Sequence, residues 1–242
     1  TPITVIEIYN NENSFIDRFT LPYKKGFNRV SWDLTKKIKT HITSGSSRFY
    51  SPSIRVQPGK YSFNVYTVYG GQVNKIGSKF FEVERIRPGI LDNPNNDKIE
   101  EYVVEVESIF NEYSVVNSKF NKIKETNKSI ISLISRTSNY KTYVELYNNI
   151  QNKINDIDVF VSGNKSKKDV REKDIETISD RLSVAVRGFN SSYGPTKMQI
   201  ESLGKAMSLI NQYADMVEML TKDFNKLKNQ LESSTDLLIL DW

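Results

Sequence analysis

Hydrophobic and polar residues alternate along the first third of the chain, as in YSFNVYTVYG (61–70) and KFFEVERI (79–86). Alternation in Val, Ile, Phe and Tyr is the pattern of half-buried β-strands. It predicts five or six strands, near 3–9, 14–21, 27–34, 53–56, 60–69 and 74–86. Gly70-Gly71 lies between two of these runs and predicts a two-residue hairpin turn. Short strands with frequent turns favour a small β-sandwich over residues 1–87.

A short segment rich in Pro, Gly and Asn follows, IRPGILDNPNND (86–97). Pro88 and Pro94 both disfavour helix in the residue before them. We therefore assign residues 88–97 to a linker and residues 98–242 to a second domain.

Beyond the linker the apolar residues recur in alternating steps of three and four, which is typical of helices that pack in bundles. One such stripe, Ile99 to Ile134, predicts a helix of roughly 39 residues. A second, with Thr196 as the expected N-cap, predicts a helix of roughly 36 residues. Its positions are Ile200, Leu203, Met207, Ile210, Tyr213, Val217, Leu220, Phe224, Leu227 and Leu231. Two successive steps of three meet at Ile210, which predicts a local change in supercoil there.

Two shorter helices are expected between the long ones, over Tyr143–Val161 and Ile175–Phe189. The polar stretch between them, 162–174, is expected to be a solvated loop. Two short helices end to end match one long helix in length, so we predict an elongated antiparallel bundle of three columns with a broken middle column. A four-helix bundle is the alternative. The fold class is α+β by segregation.

Asn127 is the one polar residue at a position of the first stripe, where the spacing calls for an apolar residue. Two interpretations have equal weight: a buried polar residue that specifies register, as in coiled coils, or a residue at the bundle edge that meets solvent.

The composition excludes several classes of chemistry. Cysteine is absent and His41 is the one histidine, which excludes disulfides, Cys-ligated zinc and His-rich metal sites and disfavours a Ser-His-Asp triad. No P-loop, dinucleotide or EF-hand motif is present. Asp33 is expected to cap the loop that follows it. We therefore predict no catalytic, cofactor-binding or metal-ligating residue, and no transmembrane segment, because no run of about 18 apolar residues exists.

The net charge of +5 is concentrated in the β half: residues 1–92 carry +7 and residues 93–242 carry −2. A basic cluster could contact an anionic partner, although a solvated loop is the alternative. The cluster comprises Lys36, Lys37, Lys39 and Arg48. No helix-turn-helix, zinc finger or regular aromatic interleaving accompanies it, so we do not expect nucleic acid as the partner.

The chain ends in an apolar tail, LLILDW. The tail is a candidate partner contact, and packing on the bundle end is the alternative. Its apolar residues are Leu237, Leu238, Ile239, Leu240 and Trp242.

Two segments resemble a known bacterial family. GFNRVSWDLT (26–35) and VQPGKYSFNVYTVYGGQ (56–72) resemble the pattern G-x-N-x-V-x-W-D-L … PG-x-Y-x-V of the FlgD-like immunoglobulin-like domain, first known from the flagellar hook-capping protein. The helical remainder resembles the C-terminal region of bacterial sortilin-type propeller proteins, which carry BNR/WD40-like repeats and are often labelled glycosyl hydrolases. The motif elements matched there are Ile178 to Leu182 and Pro195-Thr196.

The resemblance implies a non-catalytic accessory or scaffold region of a larger exported propeller protein, periplasmic or cell-surface, that provides spacing or protein docking in the cell envelope. Its partners would be the upstream propeller of the same parent protein and an envelope protein. Residues 1–10 lack the features of a signal peptide, which we expect to be absent or already removed. Export is therefore an implication of the resemblance alone. Two alternatives stay open: an accessory part of a glycan-acting hydrolase whose active site lies upstream, and a partner-binding subunit of a secretion or outer-membrane assembly.

Overall fold

A computed structural model describes residues 1–37, 53–87, 96–137, 140–172, 174–187 and 193–234. An antiparallel sheet comes first and a helical region follows, which confirms the segregated α+β class. The chain divides into two compact units. The first contains the strands and continues to residue 103, and the second contains most of the helical residues from 104 onwards.

Four strands form an antiparallel sheet in the order β2-β1-β5-β6. They are β1 (Ile3–Asn10), β2 (Phe15–Pro22), β5 (Gly59–Tyr69) and β6 (Gln72–Val83). Two short strands, β3 (Thr35–Lys37) and β4 (Ser53–Arg55), pair separately.

The predicted hairpin between β5 and β6 is confirmed. Gly70 and Gly71 have φ of 58° and 79°, which a primed turn requires.

The strand predicted over 27–34 is wrong, because this segment is an irregular loop. Gly26 has a φ of 98° and Leu34 a φ of 60°, neither of which a strand tolerates. The alternation that suggested a strand has another cause. Val30 and Trp32 line a cavity on the four-stranded sheet, while Leu34 is exposed.

Five helices follow in the described part of the chain. They are α1 (Asn96–Ile134), α2 (Tyr140–Ser162), α3 (Lys165–Asp169), α4 (Ile178–Val186) and α5 (Lys197–Ser234). The long helices have 39 and 38 residues, close to the expected lengths. The stretch 162–174 is not entirely loop, because Asn164 caps α3 with its side chain.

The second short helix is shorter than expected. α4 has nine residues instead of the expected length of about 20. Its start is fixed by a capping box that Thr177 and Asp180 form. Ile175 precedes the cap and is exposed, and position 189 lies outside the described residues.

The start of α5 confirms the expected N-cap. Thr196 N donates to Gln199 Oε1 at 2.7 Å, and Gln199 N donates to Thr196 Oγ1 at 3.4 Å.

The buried stripe of α5 differs from the prediction in its first three turns. Ile200 and Met207 are 51% and 44% exposed, whereas Ser202 and Ala206 are buried. The buried stripe is Gln199, Leu203, Ala206, Ile210, Tyr213, Val217, Leu220, Phe224, Leu227 and Leu231. These positions alternate in steps of four and three, so the two successive steps of three on which the supercoil prediction at Ile210 was based do not occur among them.

Contacts within the second unit define which helices are neighbours. Tyr213 of α5 packs against the rings of Tyr113 and Phe120 of α1, with ring centroids 6.0 and 5.9 Å away. Tyr143 Oη near the start of α2 donates to Gln230 O near the end of α5, so these helices are antiparallel. Ser202 Oγ donates to Arg181 O of α4 at 2.9 Å. Thus α2 contacts the C-terminal part of α5, and α4 contacts its N-terminal part.

Candidate binding sites

An open apolar cavity of about 270 Å³ lies on one face of the four-stranded sheet. Its lining combines four strands with the loop that follows β2. The lining residues are Ile6, Ile8, Phe19, Val30, Trp32, Phe63 and Phe81. All seven are apolar, so the cavity has the chemistry to bind an apolar side chain or ring and offers no ionisable lining group.

The loop residues of the cavity are fixed by local hydrogen bonds. Trp32 Nε1 donates to Thr35 O at 2.9 Å. Asp33 Oδ1 accepts from Thr35 N and from Thr35 Oγ1, at 3.2 and 2.7 Å. This confirms the expectation that Asp33 caps the loop. Because the indole N–H is already bonded, Trp32 presents only apolar ring surface to the cavity.

An aromatic cluster supports one side of the cavity. Tyr61 stacks on Phe81 at 5.9 Å between ring centroids, and Trp32 meets both rings edge-on at 5.8 and 6.0 Å. Tyr61 Oη donates to Gln57 O at 2.6 Å. Burial raises the pKa of Tyr61, and the negative charge of Glu100 adds to that effect. The Trp and Tyr of the two sequence motifs therefore meet in one cluster.

The opposite face of the sheet carries a polar group of three side chains. Glu7 Oε2 accepts from Tyr9 Oη at 2.6 Å, and Glu7 Oε1 accepts from Arg18 Nη2 at 2.6 Å. The hydrogen bond from Tyr9, followed by Arg18, lowers the pKa of Glu7. The same bond is the largest cause that raises the pKa of Tyr9 to about 12. Arg18 also lies over the Phe15 ring, 5.3 Å from its centroid.

Polar contacts also join the helices of the second unit. Asn127 of α1 is fully buried and donates from Nδ2 to Gln151 Oε1 of α2 at 3.0 Å. The interpretation of Asn127 as a solvent-facing edge residue is therefore wrong. Lys124 of α1 forms an ion pair with Asp158 of α2 at 2.6 Å. These contacts fix how α1 and α2 align.

The residues singled out from sequence are only partly described. Lys36 is half-buried in β3 opposite Ile54, and Lys37 opposite Ser53. The described residues do not include positions 39, 41, 48 and 237–242. The anion contact expected of Lys39 and Arg48, the absence of a catalytic role for His41 and the partner contact expected of the apolar tail therefore stay predictions.

Comparisons with protein-family models, with curated proteins and with solved structures find no match to this chain. Within the described ranges, no group of three or more His, Cys, Asp or Glu is arranged to hold a metal ion. Among the helices that the structure describes, none has both the length and the apolar character needed to cross a membrane.

Sequence reasoning missed two features. The cavity was missed because Val30 and Trp32 were assigned to a strand. The Glu7–Tyr9–Arg18 group was missed because Arg18 is eleven residues from Glu7 and faces it only through the β1–β2 register. The sequence signal that could have found this group is Glu7, the one charged residue in the strand ITVIEIYN.

Proposed function

We propose that this chain is a non-catalytic accessory region in which the sheet binds a partner through its apolar cavity and the helical unit acts as a spacer. The observation that supports the proposal is the open cavity with an entirely apolar lining. The proposed setting is a larger exported propeller protein, with the upstream propeller or an envelope protein as partner. The resemblance of the motifs around Trp32 and Tyr61 supports that setting.

The size and lining of the cavity match apolar side chains. An apolar cavity of about 150 Å³ in another protein holds one benzene molecule, so about 270 Å³ leaves room for one large ring or two aliphatic side chains. The half-buried rings of Trp32, Phe63 and Phe81 would lose further contact with water when such a group enters. Burial of each apolar side chain contributes about 1.5–3 kcal/mol.

The proposal includes two finer features of architecture. One is an immunoglobulin-like sandwich, supported by the pairing of β3 with β4 apart from the main sheet. The other is a three-column bundle in which α2 and α4 form one broken column, supported by their contacts with different ends of α5. At 1.5 Å per residue, α5 would span about 57 Å.

A tryptophan reporter tests the cavity directly. The chain has two tryptophans, so Trp242→Phe leaves Trp32 as the single emitter in the full chain. Titration with the neutral naphthalene dye prodan should quench Trp32 emission by energy transfer and shift the dye emission to shorter wavelength. Val30→Phe in the same background fills part of the cavity and should weaken dye binding at least tenfold.

A matched control uses a valine on the opposite face. Alternate residues of a strand face opposite sides, and the register puts Val65 of β5 on the cavity side and Val68 on the other. Val68→Phe should leave dye binding unchanged. Absence of dye binding, or equal loss with both variants, would refute the cavity as the binding site.

Partner binding is tested with the intact chain as bait. A protein that is retained by the wild type and by Val68→Phe but lost with Val30→Phe docks at the cavity. A partner retained equally by all three binds elsewhere, and the cavity then does not carry the function.

A further inference from the structure

An exposed aromatic side chain lies in the turn that follows β2. Phe27 is 91% exposed, although burial of a phenylalanine side chain is strongly favourable. Its neighbours Lys24, Lys25 and Arg29 are also exposed.

Hydrogen bonds fix the backbone of this turn. Asn28 Nδ2 donates to Lys24 O and to Gly26 O, at 2.9 Å each. Gly26 has a φ of 98°, which glycine adopts without strain. Tyr23 N donates to Pro2 O at 3.1 Å and ties the turn to the sheet. The exposure of Phe27 is therefore a property of an ordered turn.

A second turn with the same chemistry leaves the same end of the sheet. Pro22 pairs with Ile3, Ile3 with Val68, and Val68 with Val73, so these four residues form one row across the strands. The β5–β6 turn begins just beyond that row, as the Phe27 turn does. Strand spacing of about 4.8 Å puts the outer two strands about 14 Å apart. Tyr69 and Val73 beside the β5–β6 turn are 66% and 62% exposed.

The charge at this end of the sheet is positive. Residues 18–32 and 34–81 contain no Asp or Glu, so no carboxylate lies in either turn. Lys24, Lys25 and Lys75 are exposed, and none of them has an ion pair within the described ranges.

We propose that this end of the sheet docks on the surface of an anionic lipid membrane. The docking surface, here named the basic tip, comprises Lys24, Lys25, Phe27, Tyr69, Val73 and Lys75. Aromatic side chains favour the headgroup level of a bilayer, and each lysine near an anionic leaflet contributes about fivefold to partitioning. Val73 favours lipid over nucleic acid, because an aliphatic side chain gains from an apolar phase but cannot stack on a base.

Vesicle flotation with the full chain tests the proposal. The chain should float with vesicles of phosphatidylglycerol and phosphatidylcholine but not with phosphatidylcholine alone, and added salt should release it because salt screens the charges. Lys24→Glu/Lys25→Glu should lower partitioning at least tenfold. Phe27→Ser should lower it about tenfold, since the side chain no longer enters the interface.

Matched controls lie towards the other end of the same sheet. Phe80 is 82% exposed, and Lys60 and Lys79 are exposed lysines. Phe80→Ser and Lys60→Glu/Lys79→Glu make the same chemical changes away from the basic tip and should alter partitioning less than about twofold. Melting curves verify that all four variants fold.

Three results would overturn the proposal. The first is no flotation with phosphatidylglycerol vesicles at low salt, and the second is an equal loss of partitioning in tip and control variants. The third is binding of a single-stranded oligonucleotide that depends on Phe27 while vesicles are not bound, which would assign the basic tip to nucleic acid.

Discussion

Replacement of Asn127 by leucine should stabilise the helical unit and at the same time weaken the specification of its register. Asn127 is fully buried, and its Oδ1 has no hydrogen-bond partner in the described part of the chain. Its Nδ2 donates to Gln151, whose own Nε2 donates to Asn155 Oδ1 at 3.1 Å. A buried polar residue in an apolar seam characteristically specifies register at a cost in stability.

The magnitude follows from four terms. Removal of an unsatisfied buried acceptor returns about 1–3 kcal/mol. Burial of the leucine side chain contributes about 1.5–3 kcal/mol, and loss of the bond to Gln151 costs about 1 kcal/mol, limited because Gln151 is half-exposed and can bind water. Steric misfit of the branched side chain removes about 1–2 kcal/mol of the gain. The expected net gain is about 1–2 kcal/mol.

Urea unfolding, followed by far-UV circular dichroism, measures the gain. Asn121 lies on the exposed side of the same helix, so Asn121→Leu is the matched control and should change the free energy of unfolding by less than about 0.5 kcal/mol. Hydrogen exchange in α1 and α2 should become faster or heterogeneous in Asn127→Leu if register is less well specified. A loss of more than about 1 kcal/mol in Asn127→Leu would show that Oδ1 is satisfied in the folded protein and would refute the reasoning.

Two glycines and one carboxylate give further predictions. Gly163 has a φ of 73°, and an added Cβ would lie 3.0 Å from Lys168 Cε, so Gly163→Ala should destabilise by about 1–2 kcal/mol in urea unfolding. Gly204 lies inside α5 with no atom within 4 Å of an added Cβ, so Gly204→Ala should stabilise by about 0.5–1 kcal/mol in the same assay. The pKa of Glu7 is lowered by Tyr9 and Arg18, so its contribution is fully present above the ordinary Glu pKa and is lost as pH falls through the lowered value. Unfolding of wild type and Glu7→Gln should therefore differ at neutral pH, and the difference should shrink towards the acid end of the titration.

The sequence correctly predicted the turn and the helix cap that depend only on residues close together in the chain. The Gly70-Gly71 turn was predictable because only glycine adopts two successive positive φ angles readily. The Thr196 cap was predictable because a hydroxyl at that position accepts from the third backbone N–H. Both depend on residues within one or two turns of each other.

The loop over 27–34 shows where such signals fail. Val30 and Trp32 are two residues apart and both line the cavity. Two apolar residues on one face of a strand have the same spacing, so the sequence pattern does not distinguish this loop from a strand. Gly26 and Asn28 are the residues that distinguish the two structures. Gly26 has a positive φ, and the Asn28 side chain hydrogen-bonds to the backbone of the turn, so this segment does not pair with a neighbouring strand. The cavity itself depends on strands paired across the sheet, which no single segment specifies.

The buried face of the first three turns of α5 was misassigned for a different reason, because the size of a side chain was taken as evidence of burial. Met207 is larger and more apolar than Ala206, yet Ala206 is the buried residue. Ser202 Oγ reaches the backbone carbonyl of Arg181, so the two helices approach closely at this level, and only small side chains fit between backbones at that distance. A sequence pattern that scores hydrophobicity alone must select Ile200 and Met207, since nothing local to α5 indicates that α4 lies so near.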